Sequence, residues 1–412
     1  AVGQFAWNDP PASFELTSLA SGVTGPVEVV AVQASGETRA AGVIALTDGS
    51  FDLTDLRAGA KGTELTGSLS LPTNGGPLSA DMDLAADDLG PLFREAGLGV
   101  AGHASGRLRL YPESGGQGGE LNLEAGSLRW QAGTARPVAA RSVTVTGRTA
   151  PGGTGPEIAL LAEAQGFTGP SSDLDEVRLV LDGPLSALAV RLEADGRVLD
   201  APGALDARLA LRQTAAGPEI TLVSLEGSLA DQPLGSRTPA TLTFPDGGML
   251  LEGLALEVGG GELAGSARLG LSSPRVDLVA RQFPLELVSL VDPRIDLEGR
   301  MEALLELGGD APDAQGRFEL TFDPITFASR RRTVPVRIEA AGTLRSSRLS
   351  FAVEGVGPNE QPVMLSGEMP LRVDLEAFGL SAPSNGSLDA RLDWAGDIRD
   401  VLVLLPMNDH LL

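Results

Sequence analysis

Apolar and polar residues alternate along much of this chain, in runs of five to eight. Val177, Leu179 and Leu181 are interleaved with Arg178 and Val180 and followed by Asp182; Val190, Leu192 and Ala194 are interleaved with Arg191 and Glu193. The same beat returns at Leu121, Leu123 and Ala125, at Phe318, Leu320 and Phe322, and at Leu388, Ala390, Leu392 and Trp394. A period of two sends successive side chains to opposite faces of a strand, so these runs predict strands with one apolar and one wet face. Antiparallel pairing follows, because parallel strands covered on both sides read as unbroken apolar runs. Asp48-Gly49, Asn74-Gly75-Gly76, Asp182-Gly183, Asp195-Gly196 and Asp246-Gly247 read as hairpin turns between the runs.

The strands repeat. A shift of 198 residues lays Arg39, Asp48-Gly49, Leu53, Leu56, Gly62, Glu64-Leu65, Gly67-Ser68 and Leu71 without a gap on Arg237, Asp246-Gly247, Leu251, Leu254, Gly260, Glu262-Leu263, Gly265-Ser266 and Leu269. Looser echoes begin near Arg136 and Arg332. The expected organisation is four related units with approximate bounds 1–110, 111–215, 216–310 and 311–412, an array that grows in one direction. Helical spacing appears in three short segments, 87–96, 284–291 and 397–405. Helices this short need a surface to pack on, which makes them lids or plugs along the sheet.

Composition narrows the partners. Thirty-one Lys and Arg against 55 Asp and Glu give a formal charge of -24. That balance opposes nucleic acid, whose binding rests on cations neutralising phosphates. It equally opposes a polybasic grip on anionic headgroups. The 42% hydrophobic content supplies a core, and 53 Gly and 28 Pro fit many short elements joined by turns. No run approaches 18 apolar residues, so no helical membrane span is expected. The start, AVGQFAWNDPP, shows neither an initiating Met nor a signal-peptide core, and the chain is expected to be a piece of a longer polypeptide.

Candidate chemistry is sparse. With no Cys and only His103 and His410, thiolate and imidazole metal sites have little to draw on. Gly97-Leu-Gly99-Val-Ala-Gly102 has dinucleotide-loop spacing, but the expected order is helix before it and strand after it, the reverse of the fingerprint. In Gly102-His-Ala-Ser-Gly106 the Ser sits one place late for a nucleophile elbow, and a solvent-facing turn is the simpler reading. Asp81, Asp83, Asp87 and Asp88 cluster, yet Ala85 and Ala86 occupy positions where a calcium loop needs a ligand and a Gly; a wet strand running into a capped helix fits better. Arg330–Arg332 marks an exposed hairpin end. Asn385-Gly-Ser387 matches a glycosylation sequon, which carries meaning only in a eukaryotic secretory pathway. No catalytic residue, metal ligand or cofactor is expected.

What remains is the apolar face. Its candidate lining is Val177, Leu179, Leu181, Val190, Leu192, Leu209, Leu211, Phe318, Leu320, Phe322, Val336, Ile338, Leu349, Phe351, Leu392 and Trp394. Two sheets closing on each other as sandwiches would consume that face as core. An open stack of about two dozen strands at about 4.8 Å each would instead form an apolar trough of about 115 Å.

Gly386-Ser-Leu-Asp-Ala-Arg-Leu-Asp-Trp-Ala-Gly-Asp397, with Val401-Leu-Val-Leu-Leu-Pro-Met-Asn-Asp-His410 after it, resembles the interior segment of the TamB family, part of the translocation and assembly module. The E-L-x-G-S strands at 64–68 and 262–266 and the phrase Met369-Pro-Leu-Arg-Val-Asp-Leu375 are similar to the same family and its AsmA-like relatives. The resemblance covers most of the chain in style and is sharpest over residues 366–410. It implies an all-β fold: an elongated, curved antiparallel sheet, taco-shaped with an open groove, built of repeated strand units with a few short helices. It also implies the periplasm of a Gram-negative bacterium, an inner-membrane anchor and an outer-membrane β-barrel partner engaged through parts absent here. The function it implies is outer-membrane biogenesis, with phospholipid acyl chains held in the groove. The alternative is a scaffold that assembles outer-membrane β-barrel proteins and autotransporters by strand augmentation. Neither reading makes the chain an enzyme.

Overall fold

Nearly every described segment of this chain is strand, most of them long enough for apolar alternation to commit one face to shelter. The computed structural model describes residues 2–5, 12–18, 24–33, 36–46, 49–60, 62–90, 99–131, 137–153, 155–215, 217–270, 273–291, 297–309, 314–327, 336–356, 362–375, 379–381 and 387–394. Two units are resolved: Ala1–Asp200 with Ala204–Asp206, and Ala201–Gly203 with Ala207–Leu412.

The first unit is a meander. Its strands are β1 (Val2–Phe5), β2 (Ala12–Ser18), β3 (Thr24–Gln33), β4 (Gly36–Leu46), β5 (Ser50–Ala60), β6 (Thr63–Pro72), β7 (Ser79–Ala86), β8 (Gly99–Glu113), β9 (Gly116–Gln131), β10 (Val138–Gly152), β11 (Gly155–Gly169), β12 (Ser172–Pro184) and β13 (Ala187–Val198). Each pairs antiparallel with the next. At about 4.8 Å per strand this sheet grows to about 60 Å. β14 (Ala201–Thr214) contributes residues to both units.

In the second unit β15 (Gly217–Leu229) pairs with both β16 (Gln232–Ser236) and β17 (Ala240–Thr243), and both of these pair with β18 (Met249–Val258). They are one strand interrupted at Pro239, a residue with no N–H to give to a ladder. The meander continues through β19 (Gly261–Leu269), β20 (Arg275–Pro284), β21 (Leu297–Gly308), β22 (Gln315–Phe327), β23 (Val336–Arg345), β24 (Arg348–Val356) and β25 (Pro362–Pro370). β26 (Arg372–Asp374) and β27 (Gly379–Ser381) form a small hairpin of their own, after which β28 (Asp389–Trp394) pairs with β25.

The 198-residue repeat is structural. Leu53 faces Leu69 and Leu56 faces Gly67, with a bulge between; Leu251 faces Ala267 and Leu254 faces Gly265, with the same bulge. Gly67 is required by contact as well as conformation: at φ 149° its Cβ would lie 2.0 Å from the Asp81 carbonyl oxygen, and a Cβ on Gly265 would lie 2.5 Å from that of Asp277. The weaker echoes were placed at Arg136 and Arg332, which lie outside the described residues.

Two turn assignments are corrected. Asp182-Gly183 and Asp195-Gly196 lie inside β12 and β13. Gly196, at φ 146°, sits opposite the bulge at Leu174 and Glu176, where a Cβ would meet Leu174 Cα at 2.5 Å. Several reversals use other pairs at positive φ: Leu199-Asp200, Ala230-Asp231 and Ser346-Ser347. Asn74-Gly75-Gly76 does turn the chain, its Gly75 N–H bonded to the Pro72 carbonyl. Asp246-Gly247 closes a single 3-10 turn, Pro245–Gly247.

Of the three short helices, 284–291 is present as a 3-10 turn, Leu285–Leu287, running into Val288–Val291. Segment 87–96 is described only to Gly90, and 397–405 lies outside the described residues. Buried residues are few and mostly small, and Leu285 and Pro284 are the largest fully buried side chains among the described residues.

Candidate functional site: an apolar face built in cross-strand rows

Antiparallel register turns the alternation of each strand into rows that cross the sheet. In the first unit one row runs Ala58, Leu65, Leu84, Gly106, Leu123, Val145, Ala162, Leu179, Leu192. A parallel row runs Leu56, Gly67, Met82, Leu108, Leu121, Gly147, Leu160, Leu181, Val190. Val177 joins a third, between Ala164 and Ala194. Every predicted residue of β12 and β13 therefore lies on one face, half-buried except for the buried Val190.

The second unit repeats the arrangement with larger side chains. Phe318 stands between Leu305 and Gly342, Leu320 between Ala303 and Ala340, and Phe322 between Met301 and Ile338. Gly342 faces Phe351, Leu344 faces Leu349, and Leu392 and Trp394 face Leu365 and Val363. The Phe318 ring lies over Gly342, within 2.4 Å of where a Cβ would be, so the glycine gives the ring a flat bed. Leu392 remains 56% exposed on β28. Leu209 and Leu211 are half-buried on β14, and the side chains of Val336 and Trp394 fall outside the description.

The opposite face is charged and largely paired. Arg107 donates through Nε and Nη2 to the two carboxylate oxygens of Asp81 at 2.7 and 2.6 Å, and Arg109 lies 3.5 Å from the same group. This guanidinium holds the Asp81 carboxyl below its ordinary range. Arg178 sits between Glu163 and Glu193, and Arg317 donates to Glu306 at 2.8 Å. Asp81, one of the clustered acids, is thus an ion-pair partner, and no group of three candidate ligands is brought together among the described residues. His103 and Ser105 are exposed on the charged face, and Gly102 marks a bulge at the start of β8.

The lids expected along the apolar face take definite places. In the first unit Leu89 buries with Ala86 and Ala104 against Val100, Leu123, Ala125 and Leu128. In the second, Leu285 and Ile325 bury against Val288, Met301, Phe322 and Ile338. At the other end of the same strands Val373 and Leu375 bury with Leu269, Ala314 and Leu344, and Leu349 and Leu307 pack against them. The Leu371–Leu375 part of the Met369–Leu375 phrase is thus a plug, tied down by the Leu371 N–H donating to the Ser347 carbonyl. Its Val373, Leu375 spacing reads as one more strand, so the sequence carries no signal that it leaves the main sheet.

Compared with protein-family models, curated proteins and solved structures, the chain has no match.

Proposed function

We propose that this chain is a non-enzymatic carrier that holds phospholipid acyl chains along its apolar face and serves outer-membrane biogenesis in the periplasm, as its TamB-like sequence features imply. The observation that supports this reading is the register. Apolar side chains line up strand after strand, half-buried, with arginine–carboxylate pairs confined to the other face. Exposing a hydrocarbon to water costs about 0.8 kcal/mol per CH₂, so about 13 kcal/mol for a sixteen-carbon chain. A wall with no polar interruption across its rows removes most of that barrier at every step. The anchor and the outer-membrane barrel partner that the family resemblance implies belong to the same proposal.

Leu320→Asp tests it. Ala303 and Ala340 flank Leu320, so a carboxylate fits sterically while placing a charge in the centre of a row. Native mass spectrometry of the purified variant should show at least tenfold less bound phospholipid, whereas Ala352→Asp on the charged face should load normally. Unchanged loading of a folded Leu320→Asp protein sinks the reading. Co-purifying polypeptide in place of lipid would favour the strand-augmentation scaffold.

A further inference from the structure

The second unit closes its apolar face at both ends of the strands with segments of its own chain, and the two closures are measured against the same strands. On β22 the order along the face is Gly316, Phe318, Leu320, Phe322. Phe322 belongs to the row with Met301 and Ile338, under Leu285 and Val288. Gly316 belongs to the row with Leu307 and Leu344, under Val373 and Leu375. The two rows between them, Leu305–Phe318–Gly342–Phe351 and Ala303–Leu320–Ala340–Val353, contribute to neither buried cluster among the described residues.

Alternate residues on one face are about 6.7 Å apart along a strand, so the capped rows stand about 20 Å apart and the two rows between them about 7 Å. Non-bonded carbons approach to about 4 Å. The strip therefore seats one or two straight hydrocarbon chains abreast, running across the strands. The caps are well fixed. Leu285 is 1% exposed and Val373 6%, and Glu286 beside Leu285 accepts the Gly299 N–H at 3.3 Å.

We infer that Leu285 and Val373 are gauge residues: they set the width of the strip so that it accepts unbranched acyl chains and rejects chains with side branches. This rests on the acyl-chain reading above and names the class of lipid it selects. The floor supports the same choice. Gly342 beneath the Phe318 ring, and Gly367, whose Cβ would meet the Phe351 ring at 3.1 Å, leave room for both rings to lie against the sheet between the capped rows.

Two phosphatidylcholines that differ only in their tails supply the test: straight dipalmitoyl and methyl-branched diphytanoyl, offered in vesicles to the full chain and read by native mass spectrometry. The expected result is about tenfold preference for straight tails, the discrimination a misplaced methyl brings in a tight apolar site. Trimming a cap, Leu285→Ala or Val373→Ala, should cut that preference to threefold or less while straight-tail loading persists. The two variants lie on separate segments, so a folding defect in one leaves the other to decide. Equal loading of both lipids by the unaltered chain, or a preference untouched in either folded variant, overturns the gauge and leaves acyl binding standing. Loading of neither lipid removes both.

Discussion

β5 to β9 in the first unit and β18 to β22 in the second are one device made twice, and they differ in how they are closed. The pairings coincide: Leu108 faces Leu121 as Leu305 faces Phe318, and the bulges at Gly102 and Gly299 occupy equivalent places. The covers do not coincide. The first copy has Leu89 at one end, whereas the second has Leu285 at that end and Val373 at the other. The copies share their register and the lid at one end, whereas the Val373 cover at the other end belongs, among the described residues, to the second alone. A repeat thus conserves the wall and is free to vary the width of what the wall encloses.

The sharpest way to break the shared part is at its bulge. Gly67→Val and Gly265→Val each drive a side chain into a backbone carbonyl on the next strand. Each should cost more than about 4 kcal/mol in urea unfolding and abolish protection of its hairpin in hydrogen exchange. Gly49→Ala, with nothing within 4 Å of the new Cβ, should change little.

The lids are next in size. Leu285→Ala empties a fully buried site and should cost about 2–5 kcal/mol, with Leu89→Ala toward the lower end because it buries with two alanines where Leu285 buries with Ile325. Equal losses in calorimetric melts would argue that the two lids close their faces equally well.

A smaller effect separates the copies at one residue. Asp55 holds φ 51° where the second copy has Gly253 at φ 73°. Asp55→Gly should stabilise the first copy by about 0.5–1 kcal/mol, and Gly253→Ala should destabilise the second by about 1 kcal/mol. Urea midpoints that move the other way would separate the bulge from its left-handed backbone.

The smallest expected effect is acid sensitivity. Asp52 is held low by the Ser70 and Ser50 hydroxyls, and Asp81 by Arg107. A carboxyl whose folded value is lowered adds stability above its ordinary value near 3.8 and loses it as pH falls through the folded value. The first unit should therefore loosen slightly as pH drops below about 4, and Asp81→Asn should flatten that slope. Both groups are still half-open to solvent, so salt should blunt the effect.

Much of this was legible in the chain itself. The alternation at 177–181 and 318–322 picks out residues that share one face, and the 198-residue shift picks out two matching strand hairpins, because strand period and glycine placement are local properties. Asp195-Gly196 reads as a turn in the sequence but lies within a strand, since a glycine at positive φ serves a mid-strand bulge as well as a turn, and only the partner strand distinguishes them. Leu285 was placed in a lid, but the row it covers was not.

By itself, the sequence determined that the chain is antiparallel sheet, that one face of it is apolar and that its strand pattern recurs, since each follows from side-chain order along a single strand. Only the tertiary structure decided which rows meet across strands and which of them stay clear of the chain's own caps. Val373 makes the point: by spacing it is one more strand residue, and it became a plug because the fold brought Leu344 and Leu269 beneath it. Burial is a property of the neighbours, and the order of residues does not list those.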